Sequence, residues 1–283
     1  MRLVTLGVRV GGGTGGVPPG VARPLLDGYT AAAVRLRGDY SDEGLRIVAT
    51  FGVNLAKLES FVRQTRLVGG RVAPCTLALP EWIIMFAADS DASFLVEGMA
   101  YGVDFDFEEG EATDYKVKNY VPDELSAQVS KQIAHEVEMG RVVRAVQGHG
   151  GVSAVGALLK PNGKVRLLSD FSRPRLGGVN SCIRVRDETF SRVRDAANML
   201  RPGAFHCKVD ITEAYRSFPM APAWWKRHVF EWDGVLYSDL RMPFGNAGAP
   251  SAFHRFSMAF ARAVKARGFP GVVPYLDDFW LTA

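Results

Sequence analysis

Two adjacent carboxylates, Asp277 and Asp278, interrupt an apolar run near the end of the sequence. Apolar residues 272–276 precede the pair, and residues 279–281 follow it. Like charges side by side in apolar surroundings repel one another and resist the loss of their hydration. Such a pair lies either in a hydrated turn between two strands or beside a cation that neutralises it. Because Asp-rich turns between strands are common, the tetrapeptide alone favours the turn.

Composition places the chain among globular proteins with one large domain or two modest ones. Its 283 residues are 47% hydrophobic, which is ample for a core. No apolar run approaches the roughly 18 residues of a membrane-spanning helix, and residues 1–10 are too short an apolar stretch for a secretory signal. Cys75, Cys182 and Cys207 are far apart and fit neither a disulfide framework nor a zinc site. This cysteine usage predicts a reducing, intracellular setting.

Charge is distributed unevenly along the chain, although the net charge is only +4. Residues 1–113 carry 10 Lys/Arg and 14 Asp/Glu, whereas residues 160–228 carry 14 Lys/Arg and 6 Asp/Glu. A basic central segment suits a polyanionic partner such as a nucleic acid or a nucleotide. A solvated surface that binds nothing explains the pattern equally well, so charge alone leaves both interpretations open.

The first 25 residues read as a flexible Gly/Pro-rich linker, and residues 26–113 as a mostly helical N-terminal extension. Residues 11–20 contain a formal Gly-x-Gly-x-x-Gly pattern. Pro18 and Pro19 follow where the helix of a nucleotide-binding loop would begin, and no Gly-Lys-Ser/Thr is present. The pattern therefore does not predict a nucleotide site.

The spacing of apolar residues predicts most of the regular elements. Alternation predicts a short strand over residues 101–107 and a hairpin over residues 227–242 that turns at Asp233-Gly234. Period-3.6 spacing predicts helices within residues 27–67, over 81–100, 122–139 and 189–200, and from Pro250 onward.

A second hairpin, over residues 155–170, is predicted by Asn162-Gly163 between two alternating strands. Lys160, Lys164 and Arg166 are separated by even numbers of positions, so strand alternation puts them on one face. That face could hold a triphosphate, with the arginine giving forked hydrogen bonds. The alternative is an exposed basic face without a ligand, and the hairpin alone favours that alternative.

Asp210 stands at the end of a predicted strand, where a sheet can present a carboxylate on a rigid edge. A lone aspartate at such a place usually caps a helix. If Asp210 met Asp277 and Asp278, the three carboxylates would form a hard-oxygen site suited to Mg²⁺. Two such ions can activate an attacking hydroxyl and stabilise the leaving oxygen in phosphoryl transfer.

Four segments in this order resemble the motifs of reverse transcriptases. Each match is weak alone, whereas the ordered set at plausible intervals is specific. The resemblance covers about residues 115–283, and residues 169–174 with Val179-Asn180 look more like DIRS-type (tyrosine-recombinase) retroelements than like retroviruses. The four segments are Lys164–Asp170, Asp210–Tyr215, Met242–Gly245 leading to Ala249–Phe253, and Tyr275–Asp278.

This resemblance implies an α+β fold, the fingers and palm of a right-hand polymerase, with an antiparallel palm sheet and packed helices. The reverse transcriptase domain would span residues 114–283. The fingers would occupy about 114–185 and 219–242, and the palm about 186–218 and 243–283. On this interpretation the palm is incomplete and the sequence stops before the thumb.

The resemblance also assigns the metal-binding, catalytic carboxylates. Asp210, Asp277 and Asp278 match them, with the first two carrying most of the coordination and Asp278 closer to accessory. The implied cofactor is a pair of Mg²⁺ ions, for which Mn²⁺ could substitute. The implied partners are a dNTP and an RNA or DNA template-primer, with no membrane.

The implied nucleotide-binding residues come from three of the segments. Tyr215 matches the side chain that stacks under the incoming sugar and excludes a 2′-hydroxyl, an aromatic wall where the extra oxygen would go; plain core packing is the alternative. Asn246 departs from the family, which usually carries an apolar residue there. Arg166 with Lys160 or Lys164 is implied to hold the triphosphate. Glu213, Ala214 and Tyr215 follow the first carboxylate. Phe244 and Gly245 form the loop against nucleotide and template, where glycine permits close backbone approach.

The sequence therefore predicts an RNA-directed DNA polymerase. One alternative is a non-catalytic remnant of a retroelement, which would still bind nucleic acid through phosphate contacts. Another is an RNA-dependent RNA polymerase with a similar palm. Tyr215 argues against the second alternative, as does Tyr275-Leu276 before the Asp pair, where those enzymes usually carry glycine.

Overall fold

Ten α-helices are formed in the part of the chain that the computed structural model describes, residues 31–106, 114–146, 148–269 and 271–282. Local signals set several of their ends. The Ser41 hydroxyl accepts a hydrogen bond from Gly44 N at the start of the second helix, and Gly52 ends it at φ 101°. The helices are α1 Ala31–Leu36, α2 Asp42–Phe51, α3 Leu55–Leu67, α4 Pro74–Leu77, α5 Leu79–Phe86, α6 Ala92–Tyr101, α7 Asp123–Glu138, α8 Val193–Ala197, α9 Pro222–Trp225 and α10 Ala249–Ala266.

Eight strands in the same residues form three antiparallel sheets, in the orders β1-β6-β5, β2-β3 and β4-β8-β7. The fold is thus mixed helix and sheet, as the sequence predicts. Both predicted hairpins are present, one as β2-β3 and the other as β5-β6 turning at residues 233–234. The strands are β1 Val142–Arg144, β2 Ala154–Leu159, β3 Val165–Asp170, β4 His206–Asp210, β5 Val229–Trp232, β6 Val235–Asp239, β7 Gly271–Tyr275 and β8 Asp278–Thr282.

The largest apolar cluster joins the N-terminal helices to the C-terminal half of the chain. Leu58, Phe61 and Met99 from α3 and α6 are buried in the same cluster as Trp225 and Phe256. Separating the N-terminal helices from the C-terminal half would expose large aromatic side chains to water. Burial of these side chains therefore stabilises the association of the two segments. The predicted boundary near residue 113 therefore does not separate two apolar cores, and the division into domains stays a prediction.

Two smaller clusters support the sheets. Helix α7 packs Leu125, Val129 and Ile133 against β2 and β5. The sheet β4-β8-β7 rests on α10 through Ala261, with Val272 and Phe279 buried beneath. Helix α10 therefore positions the sheet β4-β8-β7, and helix α7 positions the β2-β3 hairpin.

Three predicted elements are corrected. The helix predicted over residues 81–100 is two helices, because the Asp89 carboxylate accepts a hydrogen bond from Asp91 N and is itself held by Arg262. The helix predicted over 189–200 shrinks to α8, in which no residue is buried, so its apolar stripe gains nothing from packing.

The strand predicted over residues 101–107 is reduced to one parallel bridge, between Val103 and Met220, within the residues described up to 106. The predicted linker over residues 1–25 lies outside the described residues. No helix in the described ranges is both long and apolar enough to cross a bilayer.

Candidate active site

Three carboxylates lie at one edge of the sheet β4-β8-β7. Asp210, the last residue of β4, is the register partner of Asp278, the first residue of β8. Asp277 lies in the two-residue turn between β7 and β8, and its carbonyl accepts a hydrogen bond from Ile211 N at 2.9 Å. The tetrapeptide is thus a hairpin turn, as its composition favours, and the turn faces the strand that ends in Asp210.

The turn conformation is held from below by α10. Leu276 has a left-handed backbone, φ 52°, which a bulky side chain adopts only when its surroundings fix it. Its carbonyl accepts a 2.6 Å hydrogen bond from the Ser257 hydroxyl of α10. Helix α10 therefore sets where Asp277 projects.

The three carboxylates influence one another electrostatically. The pKa of Asp210 is raised above its ordinary value, first by partial desolvation and then by the negative charges of Asp277 and Asp278. Lys208 moderates this effect, and its ammonium lies 2.9 Å from Asp278 Oδ1. The edge of the sheet is therefore strongly acidic, and Lys208 is the one lysine or arginine in the three described strands that form it.

A cleft of about 780 Å³ opens in front of this edge. Asp210 and Asp277 line it together with the basic residues of the β2-β3 hairpin. Most of the predicted site residues meet here, namely Lys160, Lys164, Arg166, Asp210, Glu213, Ala214, Phe244 and Asp277. A volume of this size accommodates a nucleotide-sized ligand.

Three predicted site residues are not among those that line the cleft. Asp278 is turned towards Lys208. Tyr215 packs edge-on against Phe244 and Phe253, with ring centroids 5.3 and 5.2 Å apart. Burial, followed by the charge of Asp277, raises the pKa of Tyr215 to about 12. Tyr215 thus supports Phe244, which itself reaches the cleft and lies beneath Arg166, whose guanidinium is 5.6 Å from the ring centroid.

Gly245 is the third predicted site residue that does not line the cleft. A neighbouring strand leaves no room for a side chain at this position. Gly245 has φ 106°, and a Cβ added there would overlap the carbonyl oxygen of Ser169 on β3. Asn180 Nδ2 donates a 2.8 Å hydrogen bond to the Gly245 carbonyl. This close approach to the hairpin that carries Arg166 fixes the loop and the basic strand together. The predicted approach of Gly245 to nucleotide and template stays a prediction.

A largely buried network of charges lines part of the cleft and was not predicted from the sequence. Arg216 donates to Glu136 at 2.7 Å and to Asp239 at 2.6 Å, and Glu136 and Asp239 are both buried. Arg141 pairs with Glu213 and lies 3.7 Å from Glu136. Glu213, which the resemblance assigns to nucleotide binding, therefore has its carboxylate engaged by Arg141, while its φ of 57° turns the chain after Asp210.

Asn246, the departure from the family pattern, has a structural explanation. It is buried, and its Oδ1 accepts hydrogen bonds from Gly248 N and Ala249 N at the start of α10. Its Nδ2 lies 2.7 Å from Nε2 of His228, whose Nδ1 contacts the Trp224 carbonyl at 2.9 Å. An apolar residue here would leave both the helix start and the buried imidazole without these partners.

We expect His228 to make the protein sensitive to acid. Burial lowers the pKa of His228 to about 4, with Arg227 adding to the effect. Between pH 6.5 and 4 the unfolded chain binds a proton that the folded chain does not, so stability falls as the pH falls. The loss should approach about 3 kcal/mol over this window. Urea unfolding across pH 4–7 should show a shallower decline for His228→Gln than for the wild type.

The matched control is His135→Gln, since His135 is an exposed histidine on α7. This variant should keep the wild-type decline. An equal decline in the His228→Gln variant would contradict the prediction.

The donor set fits a divalent metal in kind. Carboxylate oxygens are the ligands of Mg²⁺, which commonly takes one or two carboxylates and completes its shell with waters and substrate phosphates. Asp210 and Asp277 both line the cleft, and the pKa of Asp210 is raised by partial desolvation and then by the charges of Asp277 and Asp278. Within the described residues, no three acidic, histidine or cysteine side chains converge on one metal position.

Comparison with known proteins identifies the fold. No protein-family model matches the chain. An uncharacterized Caenorhabditis elegans protein is 24% identical over 180 residues, which are 64% of this chain and 14% of that protein. Two foamy virus protease-reverse transcriptase structures, one in complex with double-stranded DNA and one a selenomethionine-labelled mutant, match with TM-scores of 0.52. They are 16% and 20% identical, over 62% and 64% of this chain.

The described fold is therefore similar to that of a reverse transcriptase domain. The chain spans 29% and 22% of the two viral chains, so it corresponds to a minor part of them. These matches do not distinguish a DIRS-type element from other retroelements.

Proposed function

We propose that this chain carries the nucleotidyl-transfer site of a retroelement RNA-directed DNA polymerase. One observation carries the proposal, the single cleft that Asp210 and Asp277 line together with the basic residues of the β2-β3 hairpin. A carboxylate edge opposite a basic face suits a substrate whose phosphates carry metal ions on one side and meet cations on the other. The reverse transcriptase-like fold and the protein-DNA complex among its neighbours support the same proposal.

The residues of the cleft divide the work of the reaction. Arg166, with Lys160 or Lys164, binds the triphosphate of the incoming nucleotide and neutralises its charge. Asp210 and Asp277 hold the divalent cations, with Asp278 accessory. When bound, the cations supply the charge that activates the primer 3′-hydroxyl and stabilises the leaving pyrophosphate. The orientation of the α-phosphate between these groups is what the protein contributes to the rate.

Discrimination between deoxyribose and ribose falls to the aromatic pair at the cleft edge. Tyr215 packs edge-on against Phe244, and Phe244 reaches the cleft. An aromatic wall close to the sugar leaves no room and no hydrogen-bond partner for a 2′-hydroxyl. On this proposal the substrate is a dNTP, with a primed RNA or DNA strand as template.

The proposal is tested by incorporation of dTTP and UTP on a primed poly-rA template, with Mg²⁺ and with a chelator. We expect Mg²⁺-dependent incorporation of dTTP in large excess over UTP. A preference for UTP would favour an RNA-dependent RNA polymerase and overturn the proposal.

A second candidate is a protein that binds nucleic acid without catalysis. The pairing of Asp278 with Lys208 favours it, because of the three carboxylates at the sheet edge only Asp210 and Asp277 then line the cleft. Retained, salt-sensitive binding of the template-primer without metal-dependent incorporation would support this candidate and exclude catalysis by the chain.

A further inference from the structure

Lys208 is a cation that belongs to the acidic edge itself. It lies on β4 two positions before Asp210, so strand alternation puts both side chains on the same face of the sheet. The register pairs Lys208 with Trp280 and Asp210 with Asp278, which brings Lys208 diagonally opposite Asp278. The ammonium lies 2.9 Å from Asp278 Oδ1.

All three carboxylates of the edge stabilise the protonated form of Lys208. Asp278 raises its pKa most, through the hydrogen bond and its charge, and Asp210 and Asp277 raise it further. The lysine side chain is 60% exposed, and Asp278 is 39% exposed. Asp278 Oδ1 itself is buried, but water competes for the exposed ammonium and weakens its hold, so a divalent cation can replace it.

The pairing separates Asp278 from the other two carboxylates. Asp210 and Asp277 line the cleft, and Asp278 does not. We propose that Lys208 is a tethered counter-ion that competes with divalent cations for Asp278 and thereby sets the metal affinity of the site. This inference rests on the proposed function, since it requires that Asp210 and Asp277 bind the metal.

The competition has a definite direction. Without Lys208, the edge keeps its three carboxylates and loses their internal cation, so the negative potential acting on a metal ion increases. Asp278 is also released to join the shell. Removing the charge should therefore tighten metal binding about three- to tenfold, within the range that one exposed charge can change.

The test is Mn²⁺ binding to the whole chain without nucleotide, measured by the loss of the free-ion electron paramagnetic resonance signal. Lys208→Gln should bind Mn²⁺ about three- to tenfold more tightly than the wild type, and Lys208→Arg, which keeps the charge, should resemble the wild type. Lys265→Gln removes an equal charge from the exposed end of α10 and serves as the matched control. It should leave the affinity unchanged.

The outcomes separate this inference from the proposed function. Mn²⁺ binding that Asp210→Asn and Asp277→Asn weaken, together with unchanged affinity in Lys208→Gln, would overturn the role of Lys208 and leave the metal site standing. Binding that neither Asp variant weakens would remove the metal site and the inference with it. A second readout, the gain in melting temperature on adding Mn²⁺, should be larger for Lys208→Gln than for Lys265→Gln.

Discussion

Asp210→Asn should reduce nucleotide incorporation by about a thousandfold. The change preserves the size of the side chain and removes the charge at the end of β4, where Asp210 and Asp277 are the sheet-edge carboxylates that line the cleft. Metal ligands act directly on the charge that develops in the transition state, so losing one costs several kcal/mol of barrier, and each 1.36 kcal/mol is tenfold in rate. Single-turnover extension of a primed template measures the effect.

Asp187→Asn is the matched control, because Asp187 is an exposed aspartate in the segment that leads to β4. It should extend primers at the wild-type rate. Template-primer affinity, followed by fluorescence anisotropy, should change little in both variants. Comparable rates for Asp210→Asn and wild type would show that Asp210 has no catalytic role.

Arg216→Met should destabilise the fold by about 3–5 kcal/mol. The methionine fills similar volume but leaves Glu136 and Asp239 buried without the guanidinium that binds both. Breaking a buried ion pair on one side leaves an uncompensated charge, which is much more costly than the pair itself is stabilising. The pKa of Asp239 is already raised to about 6 by burial, against the opposing effect of Arg216. Urea unfolding at pH 7.5, where Asp239 is ionised, measures the loss.

A double variant tests whether the stranded charge is the cause. Arg216→Met combined with Asp239→Asn should recover part of the stability, since the remaining neutral amide costs less to bury. Arg175→Met changes an exposed arginine and should alter stability by no more than about 0.5 kcal/mol. An additive double variant, or a mild effect of Arg216→Met alone, would show that the network contributes little.

The parts of the site that the sequence predicts are those governed by short-range signals. Asn162-Gly163 and Asp233-Gly234 each specify a hairpin turn within a few residues, and both hairpins are present. Even spacing along the β2-β3 hairpin predicts that the basic residues share a face, but Val165 and Leu167, at odd spacing, line the same cleft, so the shared face stays a prediction. The turn signals act over only a few residues, and both hairpins that they predict are confirmed.

The rest depends on partners that are distant in the sequence. Arg216 meets Glu136 across 80 positions and Asp239 across 23, and no spacing rule connects them. The only available signal was an acidic residue on the apolar side of α7, where Glu136 follows Ile133 at helical spacing. Gly245 and Asn246 were noted, but the groups that explain them, Ser169 and His228, come from other elements.

The core shared by α3, α6 and α10 is built from residues that are synthesised at very different times. Its first members are synthesised by residue 101, whereas Phe256 follows about 155 residues later. At about 5–20 residues per second, the ribosome takes roughly 8–30 s to supply that partner. Until first Trp225 and then Phe256 are made, Phe61 and Met99 lack the aromatic residues that share their core in the folded state. The apolar surface left uncovered during synthesis is therefore where the nascent chain is most prone to aggregate.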